Sequence, residues 1–105
     1  MKKHHDLKIL PEPFRLVLRK IKNFEIRKND RDYAVGDTIT LKEFDGKEFT
    51  GNEIKDRTIT YIFKGGKYGL SDEYCILQLD NAYIFDGLKI DTNRLMKDAS
   101  APLLP

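Results

Sequence analysis

Lys22, Asn23, Glu25 and Arg27 place an ammonium, an amide, a carboxylate and a guanidinium within six residues of one another. Each has its own chemistry. The Lys22 ammonium can contact a phosphate or a carbonyl as a point charge. Arg27 offers a planar fork that suits a phosphate or a base edge. Lys28, Asn29, Asp30 and Arg31 follow directly; Asn29 and Asp30 favour a turn through local side-chain to backbone bonds, from which Lys28 and Arg31 can still reach phosphate. The cluster is either a solvated rim or the wall of a cleft, and Glu25 and Arg27 either pair with each other or face a ligand.

A second group lies downstream, in "KGGKYGLSDE". Gly65 and Gly66 would let backbone N–H groups approach a ligand closely, and Tyr68 is suited to stacking on a base. The same residues also make an ordinary glycine-rich loop. A phosphate-binding P-loop is excluded, because its longer spacing and Lys-Ser/Thr ending are absent. Glu73 is the remaining candidate for a second carboxylate role beside Lys22 and Glu25. His4 and His5 have no third ligand nearby and read as flanking residues, so no metal site is expected. No convincing Ser/His/Asp triad is present, and no cofactor is expected.

The elements that must position these groups can be read from periodicity. "DLKIL" (residues 6–10) alternates weakly, and Pro11 ends it while suiting the first position of a helix. Phe14, Val17, Leu18 and Ile21 follow at i, i+3, i+4 and i+7, predicting a helix over about residues 12–21 with that stripe in the core. Arg15, Arg19 and Lys20 fall on its outer face. The period then switches to two, so Phe24 and Ile26 share one face of a strand and Glu25 and Arg27 the other. Strands are also expected over about residues 38–44, over 53–63 and in "YCILQLD", the last reading as buried on both faces. In the long run, Ile59, Tyr61 and Phe63 alternate with Thr58, Thr60 and Ile62. Asp45-Gly46 is the strongest turn signal, with Gly51 as a second break. Five strands and one early helix predict an α+β, mainly β domain: a small, mostly antiparallel β-barrel of five to six strands with the helix packed on it.

Composition narrows the class. The 105 residues, 40% apolar and 34% charged, suit one globular domain. The net charge of +2 conceals an asymmetry: residues 1–31 carry ten Lys or Arg against four Asp or Glu, and residues 32–105 carry nine against thirteen. A basic first third attracts phosphate, and an acidic remainder opposes general polyanion binding. Cys75 is the single cysteine, so no internal disulfide can form, and a buried small hydrophobe is its expected role. With no long apolar run, signal-peptide pattern or prenylation box, the expected location is cytoplasmic. Residues 81–105 are expected to form an extension, in which "NAYIFDGLKI" either adds a strand or packs along an edge, Asp91 or Thr92 can cap a short helix, and the "SAPLLP" end is loose.

The ordered set "HDLKILPEPF", "NFEIRKNDRDYAVGD" and "GGKYGL" closely resembles the DUF3850 family of small bacterial and phage proteins, related to the ASCH domains of the PUA-like superfamily, over roughly residues 4–80. The resemblance implies a PUA-like, ASCH-type β-barrel with a cleft beside the early helix, where ASCH domains are proposed to bind RNA. It implies that Lys22, Glu25 and Arg27 line that cleft. Some ASCH relatives deacylate modified cytidines with a Lys, a Thr and a Glu; Lys22 falls at the Lys position, but Glu25 stands where the Thr would be. A carboxylate cannot replace a hydroxyl nucleophile without changing the chemistry.

Two functions are therefore expected as alternatives. The first is a nucleic-acid-binding module, for RNA, in which Lys22, Asn23, Arg27, Lys28, Asn29, Arg31, Gly65, Gly66 and Tyr68 make the contacts. The second is a small hydrolase acting on a modified nucleoside or on RNA, with Lys22, Glu25 and Glu73 in the catalytic roles. The basic outer helix face favours the first, since a nucleoside enzyme needs one deep pocket and no basic track.

Overall fold

The computed structural model describes residues 1–80 together with the backbone of residues 84–85 and 88–89. Its elements are β1 (His4–Ile9), α1 (Pro11–Leu18), β2 (Phe24–Lys28), β3 (Thr38–Phe44), β4 (Phe49–Lys64) and β5 (Tyr74–Leu79), followed by the two-residue strands β6 (Ile84–Phe85) and β7 (Leu88–Lys89). The expected helix cap at Asp91 or Thr92 and the "SAPLLP" end lie outside the described residues. No helix among those described is long and apolar enough to cross a membrane.

Alternation in β1 turns His5, Leu7 and Ile9 inward, so His4 and His5 belong to the first strand and are not merely flanking residues. Pro11 opens α1, and Phe14 and Val17 enter the core as the stripe predicts. The helix ends three residues earlier than expected. Lys20 adopts a left-handed φ of 61°, and the Lys20 and Ile21 N–H groups donate to the Val17 and Leu16 carbonyls at 3.1 and 2.9 Å. That pairing is a Schellman closure. It swings Ile21 out of the stripe, leaving it 58% exposed.

The strands form one mixed sheet in the order β1-β3-β4-β5-β2, in which β1 runs parallel to β3 and the other pairs are antiparallel. β4 is 16 residues long; its first part pairs with β3 and its last part with β5. β6 adds to β4 through the Ile54–Phe85 pair. The sheet is open, which corrects the expected barrel. No main-chain ladder joins β1 to β2 among the described residues; instead the Arg27 and Arg31 side chains donate to the Lys8 and Asp6 carbonyls of β1 at 2.6 and 2.9 Å. The two edges thus face each other across a seam of guanidinium groups, which satisfies edge carbonyls that would otherwise invite pairing with another chain.

Three further expectations are corrected. Gly51 does not break the chain, because β4 runs through it; the turn is confined to Asp45–Glu48, where Asp45 accepts the Lys47 and Glu48 N–H groups. β5 alternates, with Cys75, Leu77 and Leu79 inside and Tyr74 and Gln78 exposed. A register shift between Ile59 and Tyr61 breaks the alternation of β4, so Ile59 faces inward while Tyr61 turns out. The core gathers Leu7, Phe14, Val17, Ile39, Leu41 and Leu77 with their neighbours, each full burial contributing about 1.5–3 kcal/mol. Cys75 is wholly buried there, and burial raises its thiol above the ordinary value.

Candidate nucleic-acid interface

The helix closure sets the geometry of the charged cluster. Past it, Asn23 clamps the start of β2 to the end of β5: its side-chain amide donates to the Leu79 carbonyl at 3.2 Å, and the Leu79 N–H donates to its carbonyl at 3.0 Å. β2 then pairs antiparallel with β5, Glu25 opposite Leu77. Because Leu77 faces the core, so does Glu25, which is only 3% exposed. The charged face of β2 points inward and the apolar pair outward, the reverse of an exposed rim.

A buried carboxylate must be paired to be tolerated. Lys22 Nζ donates to Glu25 Oε2 at 2.7 Å, while Arg27 Nε and Nη2 donate to Oε1 at 3.2 and 3.0 Å. Glu25 therefore holds Lys22 and Arg27 on either side, and Arg27 spans on to β1. The pairing anticipated between Glu25 and Arg27 is present, with Lys22 as a third member.

A cleft of about 220 Å³ opens beside this triad, lined by Leu7, Arg27, Lys28, Asp30, Arg31 and Tyr33. Its walls come from β1, β2 and the turn after β2, whereas the resemblance placed it beside the helix. Three cations face one carboxylate in it. Tyr33 forms an almost buried wall; burial raises its phenol above the usual value against the opposing pull of Arg31 and Arg27. Lys22, half-buried and paired with Glu25, does not line the cleft.

The remaining predicted residues are dispersed. Asn29 donates its N–H to the Glu73 carbonyl at 2.8 Å, so both lie where Lys28 pairs with Tyr74, at the end of the β2–β5 pair remote from Lys22. Glu73 is exposed there and forms no constellation with Lys22 and Glu25. Gly65 and Gly66 donate their N–H groups to the Tyr74 and Leu70 carbonyls at 3.0 and 2.7 Å. These donors are spent within the loop and are not offered to a ligand. Gly65 is required for close approach, since a Cβ there would lie 1.8 Å from the Ser71 carbonyl oxygen. Tyr68 is 90% exposed and stacks on Phe63, ring centroids 6.0 Å apart.

Two buried networks were not anticipated. His5 Nε2 lies 2.9 Å from Asp37 Oδ2, and Asp37 also accepts the Lys3 and Ala34 N–H groups at 3.0 Å. Burial disfavours the Asp37 carboxylate, yet the bonds from His5, Lys3 and Ala34 outweigh it and hold the carboxyl down at about 2. The His5 ring packs on Tyr33 at 4.7 Å, which supports the cleft wall from behind. Arg57, fully buried, donates to Asp80 Oδ1 at 2.7 Å, to the Asp80 carbonyl and to Asn23 Oδ1 at 2.9 Å. The signal for the first was the inward parity of His5 in an alternating strand with a Gly-Asp turn to meet it. Arg57 gave none, since a charged residue in a β-rich run reads as solvent-facing.

A protein of Escherichia phage P2, described as "Uncharacterized 12.9 kDa protein in GpA 3'region", is 42% identical over 57 residues, covering 54% of this chain and 52% of its own length. The chain thus spans about half of the curated relative that it matches. The family described as "Domain of unknown function (DUF3850)" matches residues 4–79, which include β1 to β5 and every residue of the cleft. The chain belongs to the DUF3850 family.

Proposed function

We propose that this chain is a nucleic-acid-binding module for RNA, and that the β1–β2 cleft holds the phosphate backbone. One observation carries the reading: Arg27, Lys28 and Arg31 converge on one cleft against a single carboxylate, Asp30. Guanidinium groups suit phosphate oxygens, and two of the three cations are arginines already fixed by their bonds to β1. Such preorganisation lowers the entropy cost of binding. Within this reading, the open sheet with its arginine seam is a relaxed form of the ASCH-type barrel that the sequence resembles.

The hydrolase reading receives less support. Its amine would have to leave Glu25, to which the Lys22 ammonium donates at 2.7 Å, and Glu73 stands at the far end of the strand pair. The cleft, at about 220 Å³, is also smaller than the roughly 300 Å³ or more typical of sites that enclose a small molecule. The test is the affinity for single-stranded RNA as a function of salt. Three phosphate contacts at ~0.7 each give a log–log slope of roughly −2. Affinity independent of salt would refute the reading.

A further inference from the structure

Because Glu25 and Arg27 face inward, the opposite face of β2 is turned to solvent together with the outer faces of β5 and β4. Phe24 lies opposite Gln78, and Gln78 opposite Tyr61. In the next row Ile26 lies opposite Ile76, and Ile76 opposite Phe63. Directly paired residues share a face, so the rows form one patch, which the Lys28–Tyr74 pair continues. Tyr68 extends it from the loop by stacking on Phe63 with 26° between the rings. Phe24, Ile26 and Tyr61 are 39%, 52% and 55% exposed. A solvent-facing patch of this kind marks an interaction site.

Charge selects its occupant. These rows contain no carboxylate, Lys28 lies within them, and the Lys22 ammonium sits 5.3 Å from the Phe24 ring. Asp72 and Glu73 precede Tyr74 at one corner only. A second copy docked by a two-fold axis would set this patch against itself and oppose like charges. A polyanion with exposed π-faces meets both features. Lys28 belongs to the patch and also lines the cleft, so one strand can pass from one to the other. Rows roughly 7 Å apart along the strands, and strands roughly 5 Å apart, allow neighbouring unstacked bases to reach different rings.

We propose that the outer face of β2, β5 and β4 is a stacking platform for the unpaired bases of single-stranded RNA, adjoining the cleft that holds the phosphates. The proposal rests on the RNA reading above and adds to it a selection of single strands, because bases within a duplex cannot leave their stack to meet the rings.

The test is fluorescence anisotropy of a labelled single-stranded RNA dodecamer and of the same sequence as a duplex, with the full chain and its variants. Tyr61→Ala and Tyr68→Ala should each weaken single-strand binding roughly 5- to 100-fold, leave the salt slope unchanged and leave duplex affinity unaltered. Tyr68→Phe should retain full affinity, because stacking does not need the hydroxyl. Both tyrosines are exposed, and circular dichroism should show the variants folded. Salt-dependent binding that the tyrosine variants do not change would overturn the platform while leaving the RNA reading intact. Absence of RNA binding by the wild-type chain would overturn both. Self-association in sedimentation that Tyr61→Ala abolishes, with RNA affinity unchanged, would make the face a contact between copies and overturn the platform.

Discussion

Glu25→Gln removes the charge at the centre of the buried triad while keeping the side chain's shape. The carboxylate is 3% exposed and accepts three charge-assisted bonds, one from Lys22 and two from Arg27. Breaking a buried pair by removing one partner costs about 3–5 kcal/mol. Here the Lys22 and Arg27 side chains are 21% and 22% exposed and can still reach water, so the lower end applies, roughly 3 kcal/mol. Glutamine keeps one acceptor for Arg27 but turns N–H donors or a weak dipole toward an ammonium. At ~4–8 °C per kcal/mol for a domain of this size, the melting temperature should fall by roughly 12–24 °C in a circular dichroism melt. A loss below about 0.5 kcal/mol in urea unfolding would refute the buried triad and restore the exposed rim. Function should respond in the opposite sense. The variant loses one negative charge beside Arg27 without altering a residue that lines the cleft, so RNA affinity at low salt should hold or rise. A folded variant that had lost RNA binding would contradict that separation of roles.

Asp37 predicts an acid response: its folded-state value of about 2 lies below the ordinary 3.8, so its stabilisation, about 2 kcal/mol, is complete above roughly pH 4 and is lost as the pH falls toward 2. Urea unfolding of Asp37→Asn beside the wild-type chain should show a difference that shrinks between pH 6 and pH 2; a difference constant with pH would exclude this role. Lys20→Gly should raise stability by about 0.5–1 kcal/mol, because Lys20 holds a left-handed φ of 61° at the helix closure and glycine bears no Cβ penalty there. Destabilisation in the same unfolding assay would mean that the helix does not end at that closure.

Legibility followed the physics of each element. The stripe of Phe14 and Val17, the Asp45-Gly46 turn and the succession of helix and strands along the chain were readable, because apolar period and turn chemistry are local signals. Ile21 misled, since its spacing continued a helix that a left-handed lysine had already closed. β2 misled more deeply. Its alternation is symmetric, so the period alone does not say which face is buried, and hydrophobicity favoured Phe24 and Ile26 over Glu25. Only the partners Lys22 and Arg27, brought together by the fold, make Glu25 the inward residue. The cations Arg27, Lys28 and Arg31 were legible as one group because they are close in sequence. Their opposite wall, Leu7 of β1, required the three-dimensional approach of two sheet edges, which the arginine bonds to the Lys8 and Asp6 carbonyls hold together. The glycine pair was read as admitting a ligand to its N–H groups, whereas those groups donate to the Tyr74 and Leu70 carbonyls and the close approach, at Gly65 alone, is that of the Ser71 carbonyl.

The salt dependence of single-stranded RNA binding in paired variants is the direct measure of phosphate binding in the β1–β2 cleft. Arg31→Ala and Lys28→Ala remove cations that line the cleft, whereas Arg15→Ala removes an exposed cation of α1 outside it. The expected wild-type log–log slope is roughly −2, reduced in magnitude by about 0.7 in each cleft variant and unchanged in Arg15→Ala. A slope that Arg31→Ala and Lys28→Ala leave untouched, or that Arg15→Ala reduces as much, would contradict phosphate binding in that cleft.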